Sequence, residues 1–436
     1  MGSLLIKGGR IIDPSQNIDR IGDLFISGFK IENYDILHHL EDCLVLDATS
    51  LIVSPGFIDL HCHLRQPGYE HKETIATGTE AAAMGGFTTV CCMPNTNPPI
   101  DSKAVVDFIK LTAITDGSAR VLPIGCISQG RDGKEQSDLS ELIAAGVVAF
   151  SDDGSPVSDP QLMSDALADS RAHGKIIIEH CEDISISGNG VMNAGQLADK
   201  LRLAGIPVEA EEMAVERVIS LAQLLSAKVH IAHVSTAGSV DIIRNAKEQG
   251  VEVTAEATPH HLTLTEDCVL SGNRLNTNAK VNPPLRTRAD VDALVVGLRD
   301  GTIDAIATDH APHSEDDKIC EFDRAAFGIS GFETALGSCM SLVHSKKIDL
   351  NTLISKLTIE PARILDVPLL GTLKVGAPAD VTIFDPDAQW QVDGDIFASM
   401  GSNTPLNGHT LTGKVMATIF GGKVAYRDRT INLEEV

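Results

Sequence analysis

The segment GFIDLHCHLRQPG occupies residues 56–68 and runs from an almost continuous apolar stretch into two histidines. Apolar runs of this kind are typical of strands that are covered on both faces of a parallel sheet. Because side chains alternate along an extended strand, His61 and His63 should point to the same side. The segment therefore predicts a buried parallel strand that ends in two imidazoles with a common direction.

Seven more runs of the same character follow along the chain: FTTVCCM (87–93), VLPIGCI (121–127), VVAF (147–150), KIIIEH (175–180), KVHIAH (228–233), VEVTAEA (251–257) and DAIATD (304–309). The stretches between them are amphipathic, as in residues 211–226, where an apolar face that includes Met213 and Val218 predicts a helix. Strand and helix alternate eight times, which favours an α/β fold of the TIM-like (β/α)8 barrel type. A doubly wound open sheet is the alternative that periodicity alone leaves open.

Both ends of the chain break this rhythm. Residues 1–54 and 366–436 alternate apolar and polar side chains around Gly and Asp turns, which predicts antiparallel strands. We expect these two segments to form one small β-sandwich domain beside a barrel of residues 55–365.

Composition narrows the functional classes. A formal net charge of −25 argues against nucleic acid or an anionic membrane surface as a partner. No run of residues approaches the roughly 18 apolar positions of a membrane span, and the first residues lack the pattern of a secretory signal. We therefore expect a cytoplasmic protein whose nine cysteines are reduced thiols.

Ionisable residues gather where the predicted strands end, which is where barrels of this kind carry their sites. They are His61 and His63, Asp152 and Asp153, His180, His233, and Asp309 with His310 and His313. Nitrogen and oxygen ligands without thiolate suit hydrolytic zinc, and the set exceeds what one tetrahedral ion needs. The pattern predicts a two-zinc centre, although a histidine pair alone would be weak evidence.

The sequence also resembles a known family. DLHCHLRQPG (59–68) and ATDHAPHSEDDK (307–318) are similar to the diagnostic segments of dihydroorotases in the amidohydrolase superfamily, and closest to the class I bacterial type. Segments 85–99, 149–154, 179–183, 232–236, 258–262 and 281–286 extend the resemblance over nearly the whole chain. It implies reversible zinc-dependent cyclisation of N-carbamoyl-L-aspartate to (S)-dihydroorotate in pyrimidine biosynthesis.

The resemblance implies six metal ligands, which are His61, His63 and Asp309 at one zinc, His180 and His233 at the other, and Asp153 between them. Many relatives use a carboxylated lysine as the bridge, but the fourth strand here has no lysine. Asp152 and Asp153 should point to opposite faces, and the resemblance favours Asp153. Asp309 is also the implied catalytic proton shuttle.

An anionic substrate on an acidic chain requires a local cation. The guanidinium of Arg65 can grip a carboxylate through two hydrogen bonds, and a surface salt bridge is the alternative. The resemblance implies substrate contacts from Arg65 together with His63, Asn95, Asn282, His313, Phe327 and Gly328. For Asn95 and Asn282, beside prolines, a turn-forming role is the competing interpretation.

Three further segments carry expectations. Residues 314–328 are predicted to be a lid over the site, with a solvated charged loop as the alternative. His260 and His261, taken as strand-end neighbours, should point apart and be packed rather than bound to metal, and His310 is treated the same way.

Two rival functions remain on sequence grounds. A hydantoinase, dihydropyrimidinase or allantoinase would share the barrel and the histidine pair, but the missing lysine and Arg65 count against it. A non-catalytic homologue that docks to aspartate transcarbamoylase is the other, although every candidate ligand is present. We also expect a homodimer, and association with aspartate transcarbamoylase remains open for an active enzyme.

Overall fold

The computed structural model describes residues 2–33 and 43–435. Its strands are β1 (Ser3–Asp13), β2 (Ile18–Ser27), β3 (Lys30–Glu32), β4 (Cys43–Asp47), β5 (Ile52–Pro55), β6 (Phe57–Cys62), β7 (Phe87–Cys92), β8 (Arg120–Gly125), β9 (Ala149–Phe150), β10 (Ile176–Glu179), β11 (Met192–Asn193), β12 (Gly205–Ile206), β13 (Val229–Ile231), β14 (Val253–Ala257), β15 (Leu270–Ser271), β16 (Arg274–Leu275), β17 (Ala305–Ile306), β18 (Val381–Gln391), β19 (Thr410–Phe420), β20 (Lys423–Arg427) and β21 (Leu433–Glu435).

The α-helices are α1 (Ile75–Met84), α2 (Lys103–Asp116), α3 (Leu139–Ala145), α4 (Pro160–Ala172), α5 (Ile184–Ser187), α6 (Gln196–Leu201), α7 (Glu209–Leu225), α8 (Ala237–Glu248), α9 (Pro259–Thr263), α10 (Arg288–Asp300), α11 (Glu315–Lys318), α12 (Phe332–His344), α13 (Leu350–Leu357) and α14 (Ile359–Ile364). Within the residues described, no helix is both long enough and apolar enough to cross a membrane.

Eight strands form the barrel in the order β6-β7-β8-β9-β10-β13-β14-β17, and all neighbouring pairs are parallel. The ring is closed by a parallel bridge between Cys62 and His310, where His63 N donates to His310 O at 2.9 Å. Each predicted apolar run overlaps one of these strands. The predicted (β/α)8 barrel is therefore confirmed, and the open sheet is excluded by the closing bridge.

Alternate residues of the barrel strands pack into two separate hydrophobic clusters. On β10, Ile177 packs in the cluster shared with the helices, whereas Ile176 and Ile178 pack with Leu60 and Ala305 in a second, smaller cluster. Burial on both faces is what the continuous apolar runs require. The rigid wall that results holds the strand ends, and the side chains that follow them, in fixed positions.

Both termini contribute to one nine-stranded sheet, in the order β20-β19-β18-β5-β1-β2-β3, with β4 between β1 and β21. Its buried side chains, including Ile6, Ile26 and Val381, form one apolar cluster. Most neighbouring strands of this sheet are antiparallel, as predicted, whereas β4 and β5 both run parallel to β1. Alternation of apolar residues reports which face is buried, but not the direction of the neighbouring strand. Residues 34–42, within the predicted N-terminal part of this domain, lie outside the described residues.

The structure differs from two local predictions in detail. The helix expected over 211–226 is α7, but Met213, which we placed on its apolar face, is 53% exposed. The segment TPHHL is a helical turn and not a strand end. Thr258 caps it by accepting from His261 N, and Pro259 occupies its first position, as is typical of helix starts.

Candidate metal and substrate site

A cavity of about 210 Å³ opens at the carboxyl ends of the barrel strands. Eleven of the twelve predicted site residues line it, namely His63, Arg65, Asn95, Asp153, His180, His233, Asn282, Asp309, His313, Phe327 and Gly328. The twelfth, His61, is fully buried and lies 3.3 Å from Asp153 through its Nε2. The structure thus brings together residues that are spread over more than half of the sequence.

The first half of the cluster joins the histidine pair to the eighth strand. His63 Nε2 lies 3.0 Å from Asp309 Oδ1, and His61 Nε2 lies 3.5 Å from the same oxygen. The ligand atoms of these three residues are all within 4.8 Å of one another. This spacing allows a single cation to be bound by all three side chains.

The second half centres on Asp153, which follows β9. Its Oδ1 lies 3.4 Å from His180 Nδ1 and 3.6 Å from His233 Nε2, in addition to its contact with His61. One carboxylate therefore faces histidines from three strands. The nitrogens of His180 and His233 are also only 2.9 Å apart, so a cation beside Asp153 could reach both rings.

Two atoms test whether the cluster fits a metal. His61 Nε2 and Asp153 Oδ1 are buried and have no hydrogen-bond partner among the described residues. Burying such atoms without a partner costs free energy, about 1–3 kcal/mol each. A bound cation would satisfy both, and the neighbouring ligands are the nitrogen and oxygen donors that zinc accepts. The residues present fit a metal centre.

The surroundings of both aspartates in the cluster favour their ionised form. Burial opposes the ionisation of Asp309, but the hydrogen bond from His63 and the nearby His61 outweigh it and hold its pKa well below the usual range. Burial likewise opposes ionisation of Asp153, whereas His61 and His180 lower its pKa strongly. Each side chain is therefore a charged carboxylate that could bind a cation.

Asp152 points away from the cluster. Its Oδ1 accepts from Ile127 N at 2.9 Å, and its carboxylate also accepts from the amide and hydroxyl of Ser128. This places the two adjacent aspartates on opposite faces, as strand alternation requires. Asp152 organises the loop after β8, while Asp153 faces the cavity.

One supporting residue was missed by sequence reasoning. Glu256 on β14 is fully buried and lies 3.1 Å from His61 Nδ1 and 3.1 Å from His230 Nε2. Burial opposes its ionisation, but the two histidines lower its pKa to about 2. The contact fixes the His61 ring so that Nε2 faces the carboxylates. The signal was the second acid in VEVTAEA (251–257), which is Glu256 near the carboxyl end of the predicted strand.

Arg65 supplies the cation of the cavity. Its Nε donates to Pro312 O at 3.2 Å and its Nη2 lies 3.3 Å from His313 Nε2. Among the described residues, no carboxylate lies within 4.0 Å of its guanidinium, so the surface salt bridge considered above does not form there. The charge is left available to an anion that enters the cavity.

The two asparagines touch the cluster. Asn95 Oδ1 lies 2.9 Å from His63 Nδ1, and Asn95 Nδ2 donates to Asp153 Oδ2 at 3.3 Å. Asn282 Nδ2 donates to Glu182 Oε2 at 2.8 Å. Their side chains thus reach the cavity, beyond any turn that their prolines create.

Contacts of two lysine side chains, Lys318 and Lys280, hold the segment 314–328 in place. Lys318 is buried and donates to Thr277 O at 3.1 Å and Ala326 O at 2.7 Å, and its burial lowers its pKa to about 7. Lys280 Nζ lies 4.5 Å from the ring centre of Phe327. These contacts rule out a merely solvated loop, while motion as a lid stays a prediction.

Two of the histidines that were predicted to be packed, His261 and His310, are buried and have protein partners. His261 Nε2 lies 2.9 Å from Pro283 O and its Nδ1 lies 2.8 Å from Thr258 Oγ1. His310 accepts at Nδ1 from Gly331 N at 3.1 Å. Burial lowers the pKa of both rings, so they are neutral.

The chain is similar in sequence to proteins of one known family. A family model described as dihydro-orotase-like matches residues 50–239. A dihydroorotase from Thermoanaerobacter sp. (strain X514) is 48% identical over 435 residues, covering 99% of this chain and 100% of the relative. A dihydroorotase from Citrifermentans bemidjiense is 50% identical over 426 residues, covering 98% and 100%. This chain belongs to the dihydroorotase family.

Solved structures support the fold of this dihydroorotase family member. L-hydantoinase (dihydropyrimidinase) from Arthrobacter aurescens aligns with a TM-score of 0.87 at 24% identity, covering 100% of this chain and 98% of that one. Dihydropyrimidinase from Brevibacillus agri aligns with a TM-score of 0.86 at 23% identity, covering 99% and 96%. At this identity the likeness concerns the barrel and its terminal sheet.

The C-terminal segment completes the site of this family member. Asn403 is buried and donates from Nδ2 to Ala311 O at 3.1 Å and Gly328 O at 3.0 Å. Its Oδ1 accepts from His313 N at 2.9 Å. One side chain therefore joins the two loops that carry His313 and Gly328. Sequence patterns could not reveal this contact, because the partners are about 75 to 92 residues apart.

Proposed function

We propose that this protein is a dihydroorotase that catalyses the reversible cyclisation of N-carbamoyl-L-aspartate to (S)-dihydroorotate in pyrimidine biosynthesis. The observation that carries the proposal is the convergence of Asp153, Asp309 and four histidines in one cluster at the cavity that Arg65 lines. Arg65 has no carboxylate partner among the described residues. The substrate carries a carboxylate, and the chain is about half identical to dihydroorotases.

The proposal includes a pair of zinc ions. His61, His63 and Asp309 would hold one, His180 and His233 the other, and Asp153 would contact both. When bound, the metal pair supplies Lewis-acid chemistry, since it makes a water molecule more acidic and polarises the amide carbonyl.

Asp309 would move the proton. In ring opening, its carboxylate accepts the proton of the attacking water and passes it to the ring nitrogen that leaves. Asp309 lines the cavity, and its Oδ1 is held 3.0 Å from His63 Nε2, which fixes the position of the base. In ring closure the same proton travels in the opposite direction.

Arg65 would bind the substrate carboxylate with two parallel hydrogen bonds. Asn95 and Asn282 would orient the polar groups of the ring, with His313 and the backbone of Phe327 and Gly328 at the rim. Holding the chain of carbamoyl aspartate in this way brings its ureido nitrogen to the side-chain carboxyl group, which makes ring closure effectively unimolecular.

Substrate choice distinguishes this proposal from a hydantoinase-type activity. Purified, zinc-loaded protein should open dihydroorotate and leave dihydrouracil and allantoin unchanged, because only dihydroorotate offers a carboxylate to Arg65. Preferential turnover of dihydrouracil or allantoin would assign the rival function.

Homodimer formation and association with aspartate transcarbamoylase stay predictions, to be checked by light scattering with and without that partner.

Replacing Asp153 with Ala should lower the zinc content of the protein, whereas replacing Asp152 with Ala should not. Asp153 faces three histidines, while Asp152 accepts hydrogen bonds from loop amides. Loss of those bonds should lower the free energy of unfolding of Asp152→Ala by about 3 kcal/mol. Metal analysis and thermal unfolding measure both effects. Equal zinc loss in both variants would contradict the assignment of Asp153.

Replacing Asn403 with Asp should raise KM for dihydroorotate about tenfold, because a carboxylate cannot donate to the carbonyls of Ala311 and Gly328. The expected change in kcat is smaller, since Asn403 touches neither proposed metal ligands nor the proton shuttle. Asn407→Asp is the matched control, because Asn407 is exposed and, in the part of the chain that the structure describes, its side chain makes one hydrogen bond, in which its oxygen accepts from Gly394 N. Steady-state kinetics on both variants decide the matter, and an unchanged KM in Asn403→Asp would refute the expectation.

A further inference from the structure

Glu182 lies between the proposed metal site and the proposed substrate site. It follows β10 by three residues, and its Oε2 is 3.1 Å from His180 Nε2 and 2.8 Å from Asn282 Nδ2. Its side chain is 17% exposed, so both contacts are largely shielded from water. A single carboxylate oxygen therefore contacts one proposed metal ligand and one proposed substrate-binding residue.

The contact with His180 sets the direction of that ring. A carboxylate oxygen only accepts, so His180 Nε2 donates to Glu182. The other nitrogen, Nδ1, faces the cluster, 3.4 Å from Asp153 Oδ1 and 2.9 Å from His233 Nε2, and is the one that a metal could reach. A carboxylate on the outer nitrogen of a ligating histidine fixes its tautomer and makes the inner nitrogen a better donor to metal.

The contact with Asn282 sets the position of an amide that lines the cavity. Within residues 2–33 and 43–435, Glu182 is the one hydrogen-bond partner of the Asn282 side chain. The donated hydrogen comes from Nδ2, so the carbonyl oxygen of Asn282 is left free to accept a hydrogen bond from a ring N–H.

We propose that Glu182 is a positioning residue that fixes a metal ligand and a substrate-binding amide through the same oxygen. This inference rests on the proposed function, because it uses the roles given there to His180 and Asn282. It predicts that the two consequences of changing Glu182 can be separated.

Two variants separate them. Glu182→Gln keeps an oxygen that can accept from both partners but removes the charge, so it should weaken zinc retention about tenfold and leave KM for dihydroorotate nearly unchanged. Glu182→Ala removes both contacts, so zinc retention should fall about 10- to 100-fold and KM should rise as well. Zinc retention is measured by chelator competition without substrate, and KM after zinc is restored.

Glu266→Ala is the matched control. Glu266 also accepts from an asparagine, Asn193 Nδ2 at 2.6 Å, but neither residue lines the cavity. This variant should retain zinc and KM as in the wild type. A similar melting temperature in all three variants would show that the effects are local to the site.

Unchanged zinc retention in both Glu182 variants would overturn the inference, as would an unchanged KM in Glu182→Ala. If Glu182→Ala does not fold, zinc retention in Glu182→Gln decides the result alone. A wild-type protein that binds zinc but does not open dihydroorotate would instead refute the proposed function. Zinc retention, measured without substrate, would still test the contact with His180.

Discussion

Asp309→Asn should lower kcat for dihydroorotate by about 10³-fold, because an amide cannot accept and return the proton that ring opening moves. The backbone should tolerate the change. Asp309 has φ of 47°, in the left-handed region that Asn enters as readily as Asp. Kinetics on zinc-loaded protein give kcat, and circular dichroism on heating gives the melting temperature.

Asp304→Asn provides the control for this change. Asp304 lies directly before β17, the strand that Asp309 follows. At this amino end of the strand it pairs with Lys247 at 2.6 Å and accepts from Ala255 N at 2.8 Å. It lies outside the cavity, so its replacement should affect stability slightly and activity not at all. Retained kcat in Asp309→Asn would mean that another group carries the proton.

Arg65→Gln should lower kcat/KM for dihydroorotate by about 10²- to 10³-fold, mainly through KM, because the substrate carboxylate loses a charged partner in a shielded cavity. Arg65→Lys should recover little of this loss, since an ammonium group cannot form two parallel hydrogen bonds. Inhibition by dihydrouracil, which has no carboxylate, should be nearly unchanged in both variants.

Arg120→Gln tests whether loss of any arginine has this effect. Arg120 begins β8 at the opposite end of the barrel, where it pairs with Asp380 at 2.6 Å. Its replacement should leave KM as in the wild type. If dihydrouracil binding weakened as much as dihydroorotate binding in Arg65→Gln, the residue would shape the cavity and not recognise the carboxylate.

The barrel could be predicted from sequence because its strands are buried on both faces. Such strands leave continuous apolar runs, and the residues at the carboxyl end of each run lie at the same edge of the ring. His180 and His233 were found in this way. The choice of Asp153 over Asp152 needed the resemblance to a family, since alternation separates two neighbours without saying which faces inward.

Other features could not be read from local patterns. The parallel pairing of β1 with β4 and β5 depends on hydrogen bonds between segments about 40 residues apart. Glu182 also contacts Asn282, 100 positions away, and Asn403 contacts loops 75 to 92 positions away, so neither role could be inferred from its own segment. The helical turn after Thr258 was readable from the Thr-Pro start, but the strand interpretation of that segment hid it.

Formation of dihydroorotate from N-carbamoyl-L-aspartate is the measurement that tests the central claim most directly. Protein stripped of metal by a chelator should be inactive, and stepwise return of zinc should restore ring closure and ring opening together until the metal pair is filled. Zinc-loaded, folded protein that catalyses neither direction would contradict the account, and so would full activity after complete removal of metal.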